Sequence, residues 1–147
     1  MISLTSFLTI VHLIGLTLGA GAASVKVALL LKCRSDQSYI PSYLKIVRPV
    51  TKILIAGIIL LTLSGLIWLL TGYPFMSILI IKIILVLAIW VLGPVIDNKV
   101  EPEFIKLAPS TDQTASSEFL QIFNKYLALE LTATSLFYVI IIYWVIV

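Results

Sequence analysis

Residues 53–96 read ILIAGIILLTLSGLIWLLTGYPFMSILIIKIILVLAIWVLGPVI and carry one charged side chain, Lys82. Two apolar stretches lie here, each close to the ~20 residues a helix needs to cross a bilayer's hydrocarbon. Only Gly72-Tyr73-Pro74 separates them. Gly72 and Pro74 mark a stop and a restart. So short a connection predicts an antiparallel hairpin of spans at about 49–71 and 75–96. Pro49 suits the first turn of the earlier span, where a missing N–H leaves nothing unpaired. Pro94 falls in the last turn of the later one and should bend or end it. In lipid, every backbone polar group must be paired internally, so only helices or a closed barrel can span. The stretches show no alternation of period two, which excludes the barrel.

Working outward, a third apolar segment precedes this hairpin and a fourth follows it. The first span is read at about 2–32, its strictly apolar part ending near Val25. The small-residue run Ala20-Gly21-Ala22-Ala23 resembles a signal-peptide cleavage site. No Lys or Arg precedes it, so the segment is expected to remain as a span. A polar loop, Cys33 to Leu44, should connect it to the second span. After the third span comes the third loop, polar again, Asp97 to Ser117, with Pro102 and Pro109. The last span is read at 117–147, with Ser116 or Ser117 as its cap and Glu118 in its first turn. It begins amphipathic, with Phe119, Leu120, Ile122 and Phe123 against Gln121, Asn124 and Lys125, and becomes almost wholly apolar after Thr134. The expectation is an all-α, four-transmembrane-helix bundle forming one membrane domain over residues 1–147.

Composition agrees. The chain is 61% hydrophobic and 12% charged, with a mean hydropathy of +1.15. Ordinary soluble chains are about half apolar and a quarter charged. The net charge of +3 does not argue for nucleic acid, because the basic residues sit at helix ends. Lys26, Lys32, Arg34, Lys45, Arg48 and Lys52 surround the first loop, and Lys99, Lys106 and Lys125 the third. The second loop and both termini carry none. Loops one and three are therefore expected in the cytoplasm, with both termini non-cytoplasmic. Trp68, Tyr73, Tyr143 and Trp144 would form an outer aromatic belt, Tyr39 and Tyr43 an inner one. The expected setting is a prokaryotic cytoplasmic membrane. The bilayer is the first partner; a homo-oligomer or a larger membrane complex is compatible with the glycine pattern. One cysteine, Cys33, and one histidine, His12, exclude an internal disulfide, a cysteine-pair metal site and a haem held between two histidines of this chain.

Three ionisable residues lie deep in the spans: His12, Lys82 and Glu130. Such groups are costly in lipid and face the bundle interior or water. His12 and Lys82 should lie at similar depth in the outer half. Gly15, Gly19 and Ala23 share a helical face with His12. That face either admits something flat, such as a porphyrin with the imidazole as axial ligand, or is a small-residue seam for helix packing. Lys82 either snorkels to the interface or supplies a buried amine to a propionate or to Glu130. Glu130 is too short to snorkel and must be protonated or paired. Tyr126 and Thr134 share its face. Lys26 and Lys125, near the cytoplasmic end, are read as snorkelling.

The stretch His12-Leu13-Ile14-Gly15, opening a glycine-rich first helix, resembles the start of the HemJ/CopD group of small membrane proteins. In the HemJ type a third-helix lysine joins that histidine, and Lys82 in Ile81-Lys82-Ile83 matches it. Thr62, Ser64 and Gly65 of the second helix are similar in style. The resemblance covers spans one to three. It implies a haem b- or porphyrin-binding protein, with oxidation of protoporphyrinogen IX in the HemJ type. His12 would then be the iron ligand, with Gly15, Gly19 and Lys82 around the cofactor. The competing expectation is a non-catalytic accessory or structural subunit of a membrane complex. A proton-conducting protein using Glu130 is a third.

Overall fold

The computed structural model describes residues 3–72, 77–109 and 115–146. Among those residues it is all-α, with helices joined by short turns and no strand. Four helical segments are long and apolar enough to cross a membrane: Leu4–Ser35, Gln37–Leu70, Leu79–Leu107 and Ser117–Tyr143. Helix α1 is Leu4–Ser35, α2 is Ile40–Leu70 and α3 is Ser77–Val95. A π-turn, Ile96–Val100, leads into the short α4, Glu101–Leu107. Helix α5 is Ser117–Ile146. The all-α class and the four helices of spanning length read from the apolar segments are found.

Two boundaries differ from the reading. Pro49 is not in a first turn; it lies inside α2, which starts at Ile40. Pro41 takes the first-turn role instead. The expected loop Cys33–Leu44 shrinks to a tight turn at Asp36–Tyr39, where the Asp36 carboxylate accepts the Ser38 N–H at 3.0 Å. The extra helix forms because Ile40, Tyr43 and Val47 recur on one face and are all buried, while Lys45 and Lys52 remain exposed. Burial of that stripe outweighs the hydrogen bond lost at Pro49.

The second difference follows Pro94. The polar segment after it coils on as the π-turn and α4. Pro94 and Pro102 each lack an N–H, and between them the Glu101 N–H reaches back five residues to the Ile96 carbonyl. This wider turn carries Asp97 and Glu101 inward. At the start of α5, the Ser116 hydroxyl accepts the Phe119 N–H at 3.1 Å, so Ser116 is the cap. Gly72 has φ +89° and closes α2, as its left-handed backbone permits. The rest of the expected tight turn, Tyr73 and Pro74, lies outside the described residues.

Helices α1 and α2 pair antiparallel, α5 packs on α1, and α3 rests on α5. Within the most apolar stretch of α1, 44% of residues are buried; the figure for the α3 segment is 11%. Helix α3 therefore leaves most of its surface exposed. The densest packing gathers where the end of α1, the start of α2, α4 and the start of α5 meet. Leu30, Tyr43, Val47, Phe104, Phe119 and Tyr126 are buried there. Phe104 stands at the centre, with ring centroids 5.0 Å from Tyr126 and 5.3 Å from Phe119.

Candidate functional site

The apolar surroundings make any buried charge conspicuous, and the structure gathers four ionisable side chains. Lys26, from α1, is 2% exposed. Its Nζ lies 2.5 Å from Glu130 of α5, 3.2 Å from Glu101 of α4 and 3.6 Å from Asp97 of the π-turn. Oxygens of the three carboxylates lie within 4.8 Å of one another. Tyr126, one turn before Glu130, donates its hydroxyl to Glu101 Oε2 at 2.8 Å. The Tyr43 hydroxyl stands 2.8 Å from that of Tyr126. A continuous polar line thus runs from α2 through Tyr43, Tyr126, Glu101 and Lys26 to Glu130. The Thr134 hydroxyl, one turn beyond Glu130, is buried and makes no hydrogen bond among the described residues. It can serve as donor and acceptor to a neighbouring group or to water.

Asp97 differs from its companions. Its side chain is 23% exposed, against 8% for Glu101 and 3% for Glu130. It also lines a groove of about 200 Å³ between α2 and α3, with Leu54, Ile58, Ile89, Trp90 and Gly93 among the walls. The cluster therefore reaches the exterior through Asp97.

Sequence reasoning singled out Glu130, and the structure supplies its partner: Lys26. Tyr126 and Thr134 are buried on the Glu130 face, as the helical spacing indicates. Lys26, Asp97 and Glu101 went unrecognised. Lys26 reads as a snorkelling residue from its place near a helix end, and the two acids read as loop charges. The available signal was the four-residue spacing of Asp97 and Glu101, which shares a face only once that segment is taken as helical.

His12 lies elsewhere, half-buried against α2. Its Nδ1 is 2.8 Å from Ser64 Oγ, and its ring centroid is 5.1 Å from that of Trp68. The Ser64 hydroxyl also lies 2.6 Å from the Leu60 carbonyl oxygen, and when it donates there it accepts from His12 Nδ1–H. In that tautomer the lone pair is on Nε2. Lys82, half-buried on α3, is close enough for its charge to act on the ring. Gly15 and Gly19 face α2. A Cβ on Gly15 would stand 2.8 Å from the Leu61 amide nitrogen and 3.0 Å from the Gly57 carbonyl oxygen. One on Gly19 would meet the Phe137 ring at 3.2 Å. A porphyrin flat against this face does not fit, because the backbone of α2 and the ring of α5 already lie there. The glycines form a helix-packing seam.

No family model, curated protein or solved structure matches this chain.

Proposed function

We propose that this chain is an integral membrane protein whose Lys26 cluster takes up and releases protons. One observation carries the reading: three carboxylates converge on a single ammonium in a buried setting. Fully ionised, the four groups would hold two negative charges in excess. Excess charge away from water is strongly unfavourable, so protons or a cation balance it. Tyr126 and Tyr43 extend the cluster with hydroxyls that can donate and accept, and Asp97 connects it to the exterior. The bias of Lys and Arg towards loops one and three supports placing the cluster in the cytoplasmic half, with both termini opposite.

The competing reading is a structural staple in an accessory subunit, favoured by the way the cluster ties α1, α4 and α5 together. Infrared difference spectra of the protein in lipid nanodiscs, taken between acid and neutral pH, separate the two. Proton exchange predicts a carboxylic-acid C=O band that changes with pH and is diminished in Glu130→Gln and in Asp97→Asn. A pH-invariant spectrum, with variants that merely melt earlier, would leave the staple.

A further inference from the structure

The groove between α2 and α3 has apolar walls and a charged floor. Leu54, Ile58, Ile89 and Trp90 line it, and Asp97 and Asn98 close one end. Trp90 is held across it by an indole N–H bond to the Thr62 hydroxyl at 3.0 Å. At Gly93 a Cβ would meet nothing within 4 Å, so the missing side chain leaves open space beside the acid.

We propose that this groove binds a lipophilic ammonium ion, its head at Asp97 and its apolar arm along the α2–α3 walls. The argument rests on charge complementarity and therefore on the proton-binding reading of the Lys26 cluster. Asp97 belongs to a group with two carboxylates in excess, which attracts a cation and repels a phosphate-bearing head. The apolar walls offer a small inorganic ion no ligands, and the centre of the three carboxylates is already filled by the Lys26 ammonium. A neutral alkyl chain would leave the Asp97 carboxylate and the Asn98 amide facing hydrocarbon. An ammonium with an apolar arm satisfies both ends, its head meeting Asp97 and its arm lying along the apolar walls. Its arrival supplies one positive charge to the cluster, so one proton leaves as it binds.

Trp90 makes the test direct. In protein carrying Trp68→Phe and Trp144→Phe, in phosphatidylcholine nanodiscs, its fluorescence is followed during titration with a terminally brominated long-chain alkylamine. The brominated alcohol of the same chain length is the control. The amine should quench saturably and the alcohol only in proportion to its partition into lipid. Asp97→Asn should raise the half-saturating amine concentration by about tenfold or more. Gly93→Leu, at a position where a Cβ meets nothing within 4 Å, should occupy the groove and abolish saturation while Trp90 emission remains. It keeps the test decisive if Asp97→Asn fails to fold. Equal, unsaturable quenching by amine and alcohol would overturn the proposal. If that result accompanies a pH-dependent carboxyl band, the groove proposal falls and the proton-binding reading stands. Saturable amine binding without such a band would leave the groove as a binding site and remove the proton-binding reading.

Discussion

The two halves of the α1–α2 pair hold together by opposite means. Towards the N-terminus of α1, backbone meets backbone: Gly15 and Gly19 lie against Gly57, with the His12–Ser64 bond one turn beyond. Towards its C-terminus, large side chains fill the space, from the Phe104 ring cluster to the Lys26 network. In lipid, apolar side chains gain little by leaving tails for each other. Helices then associate through close approach, or through polar groups with nowhere else to go. This chain uses one solution at each end.

The largest expected effect breaks the polar end. Lys26→Ala leaves three carboxylates without their cation and should destabilise the fold by about 3–5 kcal/mol. Cys33 is 1% exposed and is the only cysteine. Its reaction with a maleimide dye on heating, in detergent micelles, therefore reports the loss of that end. Adding Glu130→Gln to Lys26→Ala should recover part of the stability, since it removes one uncompensated charge. If Lys26→Ala melts like the wild type, the network contributes nothing to folding and the contrast between the ends collapses.

The glycine end is tested by a smaller change. A Cβ on Gly57 would overlap the Gly19 amide and come within 2.8 Å of the Gly15 carbonyl oxygen. Gly57→Ala should cost about 1–3 kcal/mol through forced separation of the helices. Gly65→Ala, eight residues on, meets nothing within 4 Å. It should be neutral or slightly stabilising, because alanine loses less freedom in a helix than glycine. The same dye assay compares them. Equal losses at both positions would show that the cost comes from the backbone and not from close approach.

These contrasts also explain what the sequence could reveal. Four spans were legible because lipid demands long apolar runs, and residues 53–96 supply two of them almost without interruption. Glu130 was legible because a carboxylate at that depth must have company. Its partner was not, since Lys26 has a stem long enough to reach water and nothing local shows that it turns inward. Asp97 and Glu101 were hidden by Pro94 and Pro102, which read as loop punctuation. In the fold the two prolines bracket a π-turn that continues the helix. The start of α2 was obscured similarly: Ile40, Tyr43 and Val47 form a buried stripe, but charged neighbours made the segment look like a loop. The glycine face of α1 was visible as a face, and only the opposing Gly57 decides what covers it.

The smallest effect belongs to the turn that joins the two helices of that pair. Asp36 is exposed, and its carboxyl is held below the ordinary carboxylate range, first by the Ser38 hydroxyl and then by the Ser38 backbone N–H. These bonds favour the charged form in the fold. The sign follows: the unfolded chain takes up the proton at a higher pH than the fold does. The contribution is complete above the unfolded pKa and fades as pH falls through the folded one. Wild type and Asp36→Ala should therefore melt apart at neutral pH and converge in acid, with a gap smaller than the losses at Lys26 and Gly57 because the carboxyl faces water. Gaps that widen in acid would mean that Asp36 is better held when protonated. The turn would then be ordered by something other than Ser38.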